Sequence, residues 1–546
     1  MVSGEDSKSY QIDSQDYTRA RSHKNHSFDA RWIVLLVALV GVFVLAIVYN
    51  SSHSGIDASR IETGLDVDNG DLDINWGKYA TTDIRLQDSV NITEAGIYHI
   101  SGSLSGGQIK ISVKENEPVK LILDNISISN SDGPAIICES ADDLVIDLFG
   151  KNELEDGTKY SVNYDEDVTG TIYSKADLTF EGDGTLNITA NYQDGIVAKD
   201  DLKFVSGTYD IAAVDDAIRG RDSVYIKDGD FILSAESDAI KTTNEENPRK
   251  GFVLIESGNF NITATKKGIK AISSISIEDG NFTIDSIDDA LHSDNYIGIA
   301  NGKIDISTGD DGMHADRKLI IENGEITISK SYEGLEAQSV SISGGTINIT
   351  ASDDGINAGG GTNSEDQTIE RKDPFDADEN CEVLITDGTI RINASGDGID
   401  SNGWLYIAGG STIIDGPTND GNGALDSGMG IVMSGGEVLA IGSSGMAETM
   451  STASAVPSVS IYLPTTKPSN TLIEIKDSDG KLILSHTSAK TFSHIAAGAP
   501  GLSIGEEYTI YFNGEEYQSF SVTGVTNTVG NGAMNNQSAP QRPGRR

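Results

Sequence analysis

From about residue 175 to 440 the chain repeats itself with a step of about 22 residues, the mark of a solenoid. The unit reads VYIKDGDFIL (Val224 to Leu233), VLIESGNFNI (Val253 to Ile262) and ISIEDGNFTI (Ile275 to Ile284). It continues as IGIANGKIDI (Ile297 to Ile306) and LIIENGEITI (Leu319 to Ile328). Val224 and Ile226 alternate with Tyr225 and Lys227, which is strand period. Gly229 interrupts the run, and Phe231 and Leu233 resume it with Ile232 facing outward. Glycine recurs at that place (Gly258, Gly280, Gly302, Gly324), as a turn with positive φ or close backbone approach requires. The repeat is rich in Ile, Val, Phe and Thr and keeps no helical periodicity, so helical repeats are excluded. The expected fold is all-β, a parallel β-helix in which residues one period apart stack into columns.

The repeat assigns residues 75–450 to the β-helix, with 80–150 as less regular early coils. Two insertions break it, Thr242 to Lys250 and Gly359 to Asn380, and insertions in solenoids map to loops. Residues 451–526 lose the period and read as a small antiparallel β cap with an Asp479-Gly480 hairpin turn. The tail 527–546 is rich in Gly, Asn, Gln and Pro and reads as disordered. Residues 32–49 are 18 uninterrupted apolar residues, enough for one transmembrane helix. Arg19, Arg21, Lys24 and Arg31 precede it, which places residues 1–31 in the cytoplasm as a tail. The segment then acts as a signal anchor, 50–74 is a linker, and the β-helix stands outside the cell on a single-pass membrane protein. Cleavage between Ala46 and Ser52 is the alternative. Cys138 and Cys381 are too few for a disulfide-built fold and read as buried thiols, a disulfide between them being the other reading.

The net charge is −45, from 84 acidic and 39 basic residues, which excludes a nucleic-acid partner. It suits a cation-binding surface or a halophilic habitat. Aligned coils order the acids into columns. VDDAIR (Val214 to Arg219), SDAIK (Ser237 to Lys241), KKGIK (Lys266 to Lys270), DDALH (Asp288 to His292) and DDGMH (Asp310 to His314) superpose. YEGLE (Tyr332 to Glu336), DDGIN (Asp353 to Asn357) and GDGID (Gly396 to Asp400) complete the set. One column holds Asp216, Asp238, Lys267, Asp289, Asp311, Glu333, Asp354 and Asp397. The column before it adds Asp215, Asp288, Asp310 and Asp353. A third, outward column runs Arg219, Lys241, Lys270, His292, His314, Glu336, Asn357 and Asp400. Asp294 and Asp316 follow the histidines.

Stacked like charges about 5 Å apart repel unless something neutralises them. Oxygen ligands at this density suit Ca²⁺, and the absence of Cys beside His292 and His314 favours calcium over zinc. Asp and Gly are also turn formers, which accounts for one Asp per coil without any metal. The histidines likewise read as ligands or as plain ladder residues. A calcium strip beside Arg219, Lys241 and Lys270 would hold the carboxylates of an acidic polysaccharide. His292, His314 and Tyr332 are further sugar contacts, Tyr332 as a stacking platform.

DDGMHAD (Asp310 to Asp316), SYEGLEA (Ser331 to Ala337) and ASDDGINA (Ala351 to Ala358) resemble a carbohydrate-binding β-helix family of bacteria and archaea. VKLILDNISISNSDGPAI (Val119 to Ile136) and SKADLTFEGDGTLNITA (Ser174 to Ala190) extend the likeness over roughly 75–525. The resemblance implies a right-handed, calcium-loaded parallel β-helix that binds cellulose or acidic sugars such as polygalacturonate and is similar to family 9 pectate lyases. The lyase pattern closes on an Asp, which His292, His314 and Asn357 replace here, while Asp397 and Asp400 keep Asp-Gly-x-Asp. Calcium-dependent binding without turnover is therefore the expected function, with the chain a monomer and the polysaccharide its partner. The alternatives are a calcium-dependent lyase with Lys270 or Lys241 as base, its pKa lowered by a neighbouring cation, and a structural or adhesion protein.

Overall fold

The computed structural model describes residues 74–161, 164–359 and 377–530. Among these, no helix is long and apolar enough to cross a membrane. The expected anchor at 32–49, the tail before it and most of the second insertion lie outside the described residues.

The described chain is a parallel β-solenoid of about 14 turns. A representative coil contains three short strands, Ser223–Ile226, Asp230–Ala235 and Ile240–Thr242. Each pairs in parallel with its counterpart one coil on, so Val224 sits beside Val253, Phe231 beside Phe260 and Ile240 beside Ile269. The alternation read from the sequence sets the faces. Val224, Ile226, Phe231 and Leu233 are buried, while Ile232 is 50% exposed. Inside, aromatic rings stack up the axis, with Phe231–Phe260 at 4.9 Å and Phe260–Phe282 at 4.5 Å between centroids. The early coils obey the same rule, from Thr81–Leu86 against Gly96–Ser105 onward. Both cysteines are buried, and no disulfide joins them.

The glycine between the first two strands is dictated twice. Gly258 has φ +133°, and a Cβ there would lie 2.9 Å from the Gly229 carbonyl of the coil below. No L side chain fits that conformation and that spacing. The Thr242-to-Lys250 insertion folds back on the preceding coil. Asn244 donates to Asp222 Oδ1 at 2.5 Å and accepts from the Glu246 and Asn247 N–H groups.

At the far end the parallel order stops. Strand Glu437–Gly442 pairs antiparallel with Phe492–Gly498, which pairs antiparallel with Ser458–Lys467. A four-stranded antiparallel sheet follows, with Leu472–Asp477 and Glu507–Phe512 at its centre. Its first hairpin turns at Asp477 to Lys481, where Gly480 has φ +79°. One boundary needs correction. The disorder expected from Asn527 does not hold for its first residues, because Thr526–Val529 is a strand parallel to Ser458–Lys467, and 531–546 lie outside the described residues. Its Asn527 side chain, which composition reads as a disorder signal, donates to the Ser458 carbonyl at 2.9 Å.

His494 lies buried in this cap, 2.6 Å from Ser460 Oγ, and burial pushes its pKa down from 6.5 to about 4. The unfolded chain therefore takes up a proton below pH 6.5 that the folded one refuses. Stability falls as the pH drops from 6.5 towards 4. At 1.36 kcal/mol per unit this one group accounts for about 3 kcal/mol at most. Denaturant melts across that window should show a shallower acid loss for His494→Gln than for the wild type.

Candidate functional site

The three columns meet at the turn between the second and third strands. A small residue occupies this turn because the coils touch there. A Cβ on Gly312 would lie 2.5 Å from the Gly334 carbonyl. The acid before the small residue is buried at Asp194, Asp216, Asp238, Asp289 and Asp311. One oxygen of each accepts the backbone N–H of the same position one coil on. The distances are 3.1 Å from Asp194 to Asp216, 3.2 Å from Asp216 to Asp238 and 3.0 Å from Asp238 to Lys267. The series resumes at 3.1 Å from Asp289 to Asp311 and from Asp311 to Glu333. The acid column is thus a carboxylate ladder that stitches coil to coil.

The outward column is in register throughout. Arg219 sits beside Lys241, then come Lys270, His292, His314, Glu336, Asn357 and Asp400. What neutralises the buried acids changes along it. In the first coils the chain supplies its own cations. Arg219 reaches Asp194 at 2.8 Å and Thr169 Oγ1 at 2.6 Å. Burial nevertheless outweighs Arg219 and lifts the Asp194 carboxyl to about 6. Lys241 lies between Asp238 at 2.8 Å and Asp216 at 3.3 Å. Burial works against its charge, but those two carboxylates raise its pKa. That corrects the expectation of Lys241 as a base with a lowered pKa, since it is held as an ammonium. Lys267 stands in the acid column itself and bridges Asp288 at 2.8 Å and Asp289 at 2.6 Å. Lys270 has no ion-pair partner among the described residues. Asp215 brings a carboxylate oxygen within 4.8 Å of Asp194 and Asp216. Asp310 is exposed.

In the middle coils imidazoles take over. His292 contacts Asp289 at 2.8 Å and Asp294 at 3.2 Å. His314 contacts Glu336 at 2.8 Å, Asp311 at 3.2 Å and Asp316 at 3.3 Å. Burial opposes its charge, but hydrogen bonds to those carboxylates push the His314 pKa up to about 12. Burial resists ionisation of Asp289 too, yet His292 and Lys267 hold its carboxyl far below the ordinary range.

In the last coils no cation stands in the outward column among the described residues. Burial, with Glu336 and Asp311 nearby, raises Glu333, whose oxygens accept from Asn357 Nδ2 at 3.1 and 3.0 Å. Burial and the neighbouring Asp353 and Asp426 carboxylates lift Asp354 to about 6. Burial, with Asp354, Asp400 and Asp426, lifts Asp397 to about 8. Burial, with Asp426, Asp354 and Glu448, lifts Asp400 to about 7. Glu448 reaches about 7 for the same reasons, burial first and Asp426 next. Asn357 Oδ1 is buried here with no hydrogen-bond partner among the described residues. Tyr332 is 48% exposed, and the Asp353 carboxylate pushes its hydroxyl up to about 12.

Asp426 and Glu448 are absent from the sequence-derived set. Asp426 was readable, since Ala424-Leu425-Asp426-Ser427 repeats Gly398-Ile399-Asp400-Ser401, and Leu425 bridges to Ile399. Glu448 carries no such signal. A cleft of about 340 Å³ opens beside the cationic end, lined by Asp167, Thr169, Lys199, Arg219 and Arg221.

Removing a ladder carboxylate strands several partners. Asp289→Ala leaves the Asp311 N–H without its acceptor and takes from Lys267 and His292 one of the two carboxylates each contacts. It should lower stability by about 3–5 kcal/mol, the usual cost of breaking a buried pair. Asp310→Ala, on the exposed side, should stay within about 0.5 kcal/mol of wild type. Guanidinium melts of the two variants check this contrast.

Comparison with known proteins places these features. A family model described as "Carbohydrate-binding domain-containing protein" matches residues 86–355 and 273–376. A carbohydrate-binding domain-containing protein of Acetivibrio thermocellus is 34% identical over 128 residues, 23% of this chain and 45% of that protein. The chain thus spans under half the length of this curated relative. A solved polysaccharide lyase-like protein from C. thermocellum, a gadolinium derivative, is 27% identical over 42% of this chain and 94% of its own, with TM-score 0.36.

Proposed function

Since the chain belongs to the family of carbohydrate-binding domain-containing proteins, we propose that it binds an acidic polysaccharide along its outward ladder, with calcium at the ladder's carboxylate end. The division of charge along that ladder carries the reading. Arg219, Lys241 and Lys270 stand at one end. Asp400 and Asp426 stand at the other, backed by Asp354, Asp397 and Glu448. Sugar carboxylates would pair with the basic end and the adjoining cleft. Near the other end they would share calcium with the protein.

The donors at that end fit calcium. They are all oxygens, from carboxylates and the free Asn357 Oδ1, and Ca²⁺ takes six to eight oxygen ligands. Carboxyls raised by burial and by one another are those a divalent ion would relieve. The same argument speaks against calcium in the first coils, where Lys241 and Lys267 already fill the carboxylate gaps. Anchored by residues 32–49, the solenoid would stand outside the cell, where even weak calcium sites fill. Turnover by Lys241 is no part of this reading, because Asp216 and Asp238 pair with its ammonium.

Calcium should raise the thermal midpoint of the chelator-stripped full chain by several degrees, and Asp400→Asn with Asp426→Asn should abolish the rise. Polygalacturonate should co-sediment with the protein in Ca²⁺ and not in EDTA, while ultraviolet absorbance stays flat. Arg219→Ala should weaken that binding severalfold and leave sedimentation with cellulose unchanged. Unchanged binding after chelation would remove calcium from the account. Rising absorbance that Lys270→Ala stops would make the protein a lyase.

A further inference from the structure

The middle of the ladder differs from both ends in one chemical respect: it offers nitrogen. His292 and His314 are adjacent rungs, with ring centroids 4.9 Å apart. A ring nitrogen of each lies with a carboxylate oxygen of Asp289 inside one group whose atoms are all within 4.8 Å of one another. Asp311, His314 and Glu336 form a second such group that shares His314. The individual separations are 2.8 Å for His292 to Asp289, 3.2 Å for His314 to Asp311 and 2.8 Å for His314 to Glu336. Donors about 2.1 Å from a common ion and at right angles lie about 3.0 Å apart, so these separations are of the size that the edges of a coordination polyhedron require. Asp294 and Asp316 reach the other ring nitrogens at 3.2 and 3.3 Å. A carboxylate behind a ligating imidazole fixes the ring and its tautomer, as metal sites use it.

We propose that His292 and His314, with Asp289, Asp311 and Glu336, form a site for one divalent first-row transition ion of the Zn²⁺ or Co²⁺ kind, separate from the calcium end.

Three observations support it. The neighbouring coils neutralise the same acid ladder with Arg219, Lys241 and Lys267, side chains that cannot ligate while charged. Only at these two rungs does the chain place a cation-former that can release its proton and present a lone pair. The two rings also stand 4.9 Å apart and tilted at 35°, close enough for one ion to be shared between them. Finally, imidazole with carboxylate selects zinc, cobalt, nickel or manganese over calcium, which prefers oxygen alone. The His314 side chain is 14% exposed against 7% for His292, so it marks the side from which an ion would enter.

The test titrates the chelator-stripped full chain with Co²⁺ and follows its visible d–d absorption. One equivalent should bind with a spectrum of mixed nitrogen and oxygen donors, and Zn²⁺ should displace it. A hundredfold excess of Ca²⁺ should not. His292→Gln and His314→Gln should each weaken cobalt binding at least tenfold, while Asp400→Asn leaves it unchanged. No cobalt spectrum, equal displacement by calcium, or full binding in both histidine variants would overturn the site. If a histidine variant fails to fold by circular dichroism, Asp294→Asn and anomalous scattering at the cobalt edge from wild-type crystals decide. A peak between the two rings upholds the site, and a peak elsewhere or none rejects it. Polygalacturonate sedimentation, measured alongside, reports on the calcium reading separately.

Discussion

Coils stacked at the inter-strand spacing place every side chain about 4.8 Å above its own counterpart. A buried carboxylate repeated at that spacing is the constraint the whole face must satisfy. One oxygen is committed to the next coil's N–H, so the ladder cannot be dispensed with. The other oxygen needs a positive partner. Among the described residues the chain answers in three ways along one column: fixed ammonium and guanidinium groups first, imidazoles next, and further carboxylates last. Each answer gives the surface above it a different chemistry, although the backbone beneath is the same.

This explains why acidity alone is a poor guide to metal sites in such a fold. Asp238 and Asp397 occupy equivalent positions and look interchangeable. Asp238 is held below its ordinary pKa despite burial, because Lys241 pairs with it, while Asp397 rises to about 8 among other carboxylates. The difference lies in the outward neighbour, Lys241 against Asp400, and not in the acid. Gly396 shows the same dependence on context. The turn there has no room for a second Asp, because a Cβ would run into the carboxylates of Asp353 and Asp354.

Much of this was legible in the sequence. Strand alternation, the glycine turn and the order of the outward column are all periodic, and periodicity survives translation into structure unchanged. Lys267 could be seen replacing an acid before any contact was known. What was not legible depends on pairing or on lost period. That Lys241 sits between two carboxylates is a matter of side-chain reach. Asp426 lies beyond the Pro417-to-Gly421 stretch, which lengthens the coil from Asp397 to Gly423 to 26 residues, so a fixed step misses it. Glu448 comes from outside the repeat altogether. Thr526–Val529 reads as tail because its Asn and Thr are polar, yet Asn527 finds its partner on a strand nearly seventy residues earlier.

Strand Phe492–Gly498 has a further consequence. A parallel β-solenoid ends in an open row of N–H and C=O groups that could template another copy of itself. Here the terminal strand, Glu437–Gly442, is met by one running the opposite way, whose own far side is already paired. A reversed strand presents the wrong hydrogen-bond pattern for a parallel successor. The stack is therefore closed at that end by polarity and not merely by bulk. The same hydrogen-bonding logic that propagates a fibril is used here to give the rod a definite last turn.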